Sequence, residues 1–386
     1  MIFPRQPSLL ITILLLLAGG VASLRAAEAP TITVRKGDAL NVTFAGIGGS
    51  EGAAISKVVQ NDLTLAGWFA LVQPGAATFT ISGTAAGGVL QGKVMKGAET
   101  ILSKNYAGAP RVAAHRFVDD IVETLTGHKG IASSTIAFIS NRSGRKEVYL
   151  ADYDGAGGRQ ITHDNGLSVS PSLSPDGRRL AYTGYQAGYA DIYLIDLVSG
   201  SRVRLVKFPG TNSGARFSAD GNQLACTISK DGNPELYVVG LGGGARRLTR
   251  TRGSESSPAW SPDGGEIIYA SDESGAPQLY RVASGGGSGR LLSTGFGYCT
   301  EPSWSPDGQH IAFNVRSGGG FAIAVMDLNG GGARIVAQGE NPVWGGDSRH
   351  LVYSTGSTIS LLDVPTGKST PVVTGLGKVT EPSWSR

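Results

Sequence analysis

The chain has 386 residues, more than one ordinary hydrophobic core supports, so two units are expected. Its net charge is only +4 and its Lys and Arg residues are scattered, with no basic block to track a phosphate backbone, which argues against nucleic acid. The 58 glycines have no G-X-Y period; they punctuate short apolar runs and point to a mostly β protein.

The first residues read as an export signal over 1–27. Arg5 precedes an apolar run from Leu9 to Ala18, and Gly19, Gly20, Ala22, Ser23 and Ala26 supply small residues, with cleavage expected between Ser23 and Glu28. The run is too short for a bilayer span, which needs about 20 residues. No cysteine lies near it, so no lipid anchor is expected.

Residues 28–130 read as a small α/β unit. Strands are predicted over 31–35 and 40–45, then a helix over 51–65 with Ile55, Val58, Val59, Leu63 and Leu65 at apolar positions. Further strands are predicted over 69–73, 78–82, 89–96 and 100–106. A second helix over 111–126 buries Ala114, Val118, Ile121, Val122 and Leu125. The stretch GGSEG at 48–52 matches the G-x-S-x-G nucleophile pattern between a strand and a helix. The unit is too small for an α/β-hydrolase core, and His115 and His128 lie on or just after a helix. Ser50 is therefore read as the cap of the helix, with Glu51 suiting its first turn. His115 and Asp119, four residues apart, are placed to pair on the helix surface.

From about residue 134 the chain repeats itself every 40 to 44 residues, a propeller-blade length. The copies open with SPSLSPDG at 170–177, SGARFSADG at 213–221, SPAWSPDG at 257–264, EPSWSPDG at 301–308 and the degenerate NPVWGGDS at 341–348. The chain stops in EPSWS at 381–385, the opening of one more copy. In each, a strand ends at the aromatic residue, a Pro-Asp-Gly turn follows, and three more strands complete a blade. Five copies are complete. The sixth is split: its first strand is 382–385, and its other three lie at 135–140, 147–151 and 158–162. The expectation is an all-β six-bladed propeller over 131–386, closed one-plus-three by the C-terminal strand, which removes exposed sheet edges.

Trp260, Trp304, Trp344 and Trp384 are read as wedges between blades. Asp176, Asp220, Asp263, Asp307 and Asp347 are read as turn residues, too far apart to share an ion. His163, His310 and His350 lack metal-ligand spacing. Asp152-Tyr-Asp-Gly155 lacks the later ligands of a calcium loop and is read as a turn. Cys226 and Cys299 fall in non-neighbouring blades and are not expected to pair. No cofactor, no metal and no catalytic residue is assigned.

Four stretches carry a family resemblance: VVQNDLTLAGWF at 58–69, HRFVDDIVETLTGHKG at 115–130, TIAF at 135–138 and EVYLADYDG at 147–155. Together with the repeat, they make the chain similar to the TolB family, periplasmic components of Tol-Pal systems. The resemblance implies a periplasmic, non-enzymatic scaffold and a monomer, contacting membranes only through partners. It implies binding of the peptidoglycan-associated lipoprotein, Pal, at the propeller channel mouth. The residues there would be Ser170, Thr211, Asn212, Ser213, Ser256, Ser257, Thr300, Glu301, Asn341, Thr380 and Glu381. It also implies contact with TolA through the N-terminal segment Thr31, Ile32, Thr33, Val34 and Arg35, and a role in outer-membrane integrity and constriction at cell division. Here the stretch 74–106 is shorter than the family's, and Ala215 and Arg216 replace its usual Pro-Ala. The alternative is a lyase- or peptidase-like propeller enzyme, or a carbohydrate binder, using the channel as a pocket.

Overall fold

The computed structural model describes residues 39–385. The export signal over 1–27 and the strand over 31–35, with its TolA-contact residues, lie outside the described residues.

Apolar alternation at Val42 and Ile47 starts a mixed sheet with β1 (Leu40–Gly48). It continues through α1 (Gly52–Leu65), β2 (Phe69–Leu71), β3 (Phe79–Ala86), β4 (Val89–Lys96), β5 (Glu99–Ala107) and α2 (Pro110–Thr126). The strand order is β2-β1-β3-β4-β5, with β1 parallel to both its neighbours. β1 outruns its predicted end because Gly46, at φ 91°, absorbs a register shift between Phe44 and Ile47. Proline opens α2 and Gly127 in the left-handed region closes it. Phe117 of α2 packs so tightly on β4 that a Cβ at Gly92 would sit 2.5 Å from its ring.

Two expectations for this region are corrected. Ser50 does not cap α1. The N-cap position is Glu51, which makes no side-chain capping bond, and its carboxylate accepts the Gly88 N–H at 3.3 Å instead. His115 does not pair with Asp119 on the helix surface. The ring is buried and turns towards Asp62, while Asp119 accepts the N–H groups of Ala132 and Ser133 at 2.7 and 2.9 Å.

The repeat forms six four-stranded antiparallel sheets. Blades 1 to 5 cover 168–206, 212–247, 255–291, 299–338 and 340–373. In blade 6, Val379–Trp384 pairs with Thr135–Ser140, followed by Glu147–Asp152 and Arg159–Gln160. The register places Trp384 opposite Ile136. The predicted one-plus-three closure is therefore observed. The seam is tied on both sides, by Ser385 N–H to the Thr135 carbonyl at 3.0 Å and by Thr135 N–H to Ser385 Oγ at 2.9 Å.

The tryptophans wedge between blades as expected. Trp304 packs against Ile268 and Leu279 of blade 3 and against Ile311 and Phe313 of its own blade. Trp260 and Trp344 do the same one blade earlier and later. Trp384 lies so close to blade 5 that a Cβ at Gly345 would sit 2.7 Å from its ring, which accounts for the glycine in that degenerate copy. The Pro-Asp-Gly aspartates are turn residues: Ser174, Ser218, Ser261 and Ser305 hydroxyls donate to Asp176, Asp220, Asp263 and Asp307 at 2.5 Å. Asp347 instead is buried and 2.6 Å from His350 Nδ1. Cys226 and Cys299 are buried and unpaired with each other.

Candidate partner-binding face

Every inner strand carries the same irregularity. Two of its residues oppose one on the neighbouring strand: Ser170-Pro171 face Tyr182, Gly214-Ala215 face Cys226, Ser257-Pro258 face Tyr269, Glu301-Pro302 face Phe313, Asn341-Pro342 face Tyr353 and Glu381-Pro382 face Phe138. This is a β-bulge, and proline suits it because the slipped register needs one ladder donor fewer. The first residue of each pair has positive φ, between 49° and 65°. Blade 2 meets the requirement with glycine. The other five use Ser, Glu or Asn, each at about 1–2 kcal/mol of backbone strain. A mid-strand proline after a polar residue was the signal available for this feature in the sequence.

The bulge leaves N–H groups without ladder partners, and side chains of the preceding blade satisfy three of them. Ser170 N–H donates to Glu381 Oε2 at 2.6 Å, Gly214 N–H to Thr183 Oγ1 at 3.2 Å, and Asn341 N–H to Asn314 Oδ1 at 3.0 Å. Two residues further along each strand, Ser172, Arg216, Ala259, Ser303, Val343 and Ser383 line the central channel. Ser172, Ser303 and Ser383 accept N–H groups of the following blade's inner strand, so they serve the ring as well as the channel wall.

Of the predicted rim residues, Ser170, Ser257, Glu301, Asn341 and Glu381 occupy the bulge itself, half-buried around the channel. Ser213, Ser256, Thr300 and Thr380 precede it by one position and retain some exposure, and Thr211 is exposed. Asn212 is not on the rim. It is fully buried, and its amide donates to the Phe208 and Ala190 carbonyls and to Asp191 at 2.7 to 3.2 Å. Blade 2's bulge position belongs to Gly214.

Arg216 Nη2 lies 3.9 Å from Glu301 Oε2, and Glu301 Oε1 accepts the Ser257 hydroxyl at 2.8 Å. Burial holds the Glu381 carboxyl above the usual glutamate range, with Glu301 adding to it and the Ser170 N–H, Lys146 and Arg216 opposing it.

At the end opposite the bulges, turns of blades 5 and 6 meet the α/β region. His115 Nδ1 is 2.6 Å from Asp62 Oδ2 and its Nε2 is 3.7 Å from Asp152. Tyr153 donates its hydroxyl to Asp62 at 2.9 Å, and Arg111 bridges Asp152 and Asp154 at 2.5 Å each. Burial alone would lower the His115 pKa, but hydrogen bonds and charge from Asp152 and Asp62 outweigh it and lift it to about 9. Nearby, buried Arg349 of blade 5 bonds the Gly67 carbonyl at 2.7 Å and Asp363 at 2.8–2.9 Å, with its guanidinium over the Trp68 ring. Trp68 stacks on His128 at 4.7 Å. The stretches 58–69, 115–130 and 147–155, which carry the resemblance in the sequence, thus converge on one buried polar junction. The family resemblance implies an interdomain junction only for 115–130, and nothing local in the sequence says that Asp62 and Asp152 meet there.

Among the described residues no three His, Cys, Asp or Glu side chains group as a metal site, and no helix is long and apolar enough to cross a membrane. The geometry defines a class: a six-bladed propeller joined at its turn end to an α/β region, with a bulge-ringed channel mouth at the other end. Comparison with known proteins narrows it. The family model for the TolB beta propeller domain matches residues 122–386, and the chain belongs to the TolB family. It is 49% identical over 92 residues to the Protein TolB homolog of Chlorobium luteolum, covering 23% of this chain and 21% of that one. It is 33% identical over 174 residues to the Tol-Pal system protein TolB of Geobacter sulfurreducens, covering 35% and 39%. These matches span well under two thirds of the relatives' length. The crystal structure of TolB from Acinetobacter baumannii superposes with a TM-score of 0.80 at 25% identity, covering 90% of this chain and 97% of that one.

Proposed function

We propose that the protein is a periplasmic, non-catalytic scaffold of a Tol-Pal system. The propeller, 131–386, receives the peptidoglycan-associated lipoprotein at the bulge end of its channel. The α/β unit, 28–130, presents the segment 31–35 to TolA. The protein acts as a monomer that reaches membranes only through these partners, supporting outer-membrane integrity and constriction at division.

The observation that carries this reading is the six-fold ring of left-handed bulge residues at the mouth facing away from the α/β region. Strained backbone gathers at binding sites, and here it sets Ser, Asn and Glu side chains of five blades around one opening, with Ser213 beside the glycine of blade 2. Such short side chains lose little entropy when a partner orders them. Binding of the soluble lipoprotein domain by the purified protein tests the reading. Thr300→Ala with Asn341→Ala is expected to weaken it about tenfold, in the range of a few polar contacts. Absence of measurable binding by the unmodified protein refutes it. Turnover of a glycan or peptide that disappears in Arg216→Ala would support a propeller enzyme instead.

A further inference from the structure

The face around the channel mouth is not uniform. The loops of blade 6 and of the blade 5–6 junction carry Arg142, Arg145, Lys146 and Lys378, all exposed, and none bonds a carboxylate among the described residues. Next to them, blade 1 exposes Tyr185 and Tyr189, the latter 69% accessible.

These loops form one continuous sector. Lys378 N–H donates to Asn141 Oδ1 at 2.8 Å, Ser168 N–H to the Lys146 carbonyl at 3.0 Å, and Tyr185 N–H to the Leu167 carbonyl at 3.2 Å. The acids nearby are already engaged: Asp164 by Arg202, Tyr182 and Gln186, Glu147 by Thr162 and the Asn165 N–H, and Glu381 by the Ser170 N–H, with Lys146 adding only its charge at Glu381. Elsewhere on the same face the sign changes, since blade 3 presents exposed Asp272 and Glu273.

We propose that this sector docks an acidic polypeptide segment bearing an apolar side chain. The four cations meet its carboxylates, and the two tyrosines cover the apolar residue. Unpaired cations steer an oppositely charged partner, and exposed tyrosines supply contact area at low entropic cost. A discrete protein segment fits better than a flat anionic membrane. The four cations of this sector stand together without a bonded carboxylate, whereas near blade 3 the exposed cations Arg250 and Arg252 are mixed with Asp272 and Glu273, on which a planar anionic surface would press as well. The inference deepens the function proposed above and rests on its placing a protein partner at this mouth.

The test compares the unmodified protein with three variants. They are a reversal variant (Arg142→Glu, Arg145→Glu, Lys146→Glu, Lys378→Glu), a Tyr185→Ser/Tyr189→Ser variant, and a control reversal on another sector, Arg250→Glu/Arg252→Glu. Each is titrated from 20 to 300 mM NaCl with two probes: the soluble lipoprotein domain, and a synthetic Asp/Glu-rich peptide containing one leucine. The expected result is an association rate with the lipoprotein domain about tenfold lower in the sector reversal, with a flatter salt dependence. Affinity should fall severalfold in the tyrosine variant and less than twofold in the control. If the lipoprotein domain binds and all three variants match the unmodified protein, the sector proposal falls and the scaffold reading stands. If only the acidic peptide binds, and depends on the sector, the scaffold reading falls and the sector stands. Sector-dependent binding of phosphatidylglycerol vesicles with no binding of either probe overturns the proposal in favour of a membrane surface.

Discussion

The carboxylate of Glu381 accepts the backbone N–H of Ser170 at 2.6 Å, across 211 positions of sequence. The last strand of the chain thereby holds the bulge of the first complete blade. Burial raises the Glu381 pKa, so the charged form is disfavoured in the fold. A carboxyl raised in this way costs stability as pH rises from its unfolded value through its folded one. Glu381→Gln keeps the acceptor without the charge. It is expected to melt about 2 °C above the unmodified protein at pH 8, with the gap closing below pH 4, as calorimetry at several pH values would show.

His115 carries the opposite sign. Its pKa is lifted to about 9 in the fold against an ordinary value of 6.5. The stabilisation is complete below pH 6.5 and is lost as pH rises through 9. His115→Gln is expected to lose about 3 kcal/mol at pH 6 and much less at pH 10, measured by urea unfolding. A pH-independent loss would assign the residue to packing alone.

Arg349 and Asp363 form a buried ion pair that also grips the Gly67 carbonyl. Arg349→Met leaves a buried carboxylate uncompensated and is expected to cost about 3–5 kcal/mol. The double variant Arg349→Met/Asp363→Leu is expected to recover most of that, because neither charge then remains in the interior. Trp68 fluorescence reports the change, since the guanidinium lies 4.2 Å from its ring.

Trp384→Ala is expected to cost about 3–5 kcal/mol by leaving a cavity against Gly345 of blade 5. It also loosens the strand that completes blade 6. Limited proteolysis should then cut between blades 5 and 6 before any other junction.

Ser257 sits at φ 51° in the blade 3 bulge. Ser257→Gly relieves the left-handed strain and is expected to raise stability by up to about 1 kcal/mol, whereas Ser257→Val, β-branched at the same angle, is expected to lower it by more. Thermal melts of the pair separate backbone strain from the lost hydrogen bond to Glu301, which both variants share.

The repeat alone determined most of the architecture. Its period of 40 to 44 residues and its split sixth copy required a six-bladed ring closed by the tail, because an unclosed blade would leave a sheet edge bare. The two helices of the α/β region were legible from apolar spacing, and the wedge role of Trp260 and Trp304 followed from their place at the strand ends. Tertiary structure decided what needs partners distant in sequence. Asn212 looked like a rim residue, yet it is buried, with its amide held by Ala190 and Asp191 of the preceding blade and by Phe208 of the connection between the two blades. In the sequence His115 reads as a helix-surface partner of Asp119, Asp152 as part of a turn, and nothing singles out Asp62; only the docking of the α/β region on the propeller makes the three one cluster. Strand and helix periodicities are written in neighbours along the chain. Desolvation and charge pairing depend on neighbours in space, and a single sequence does not state them.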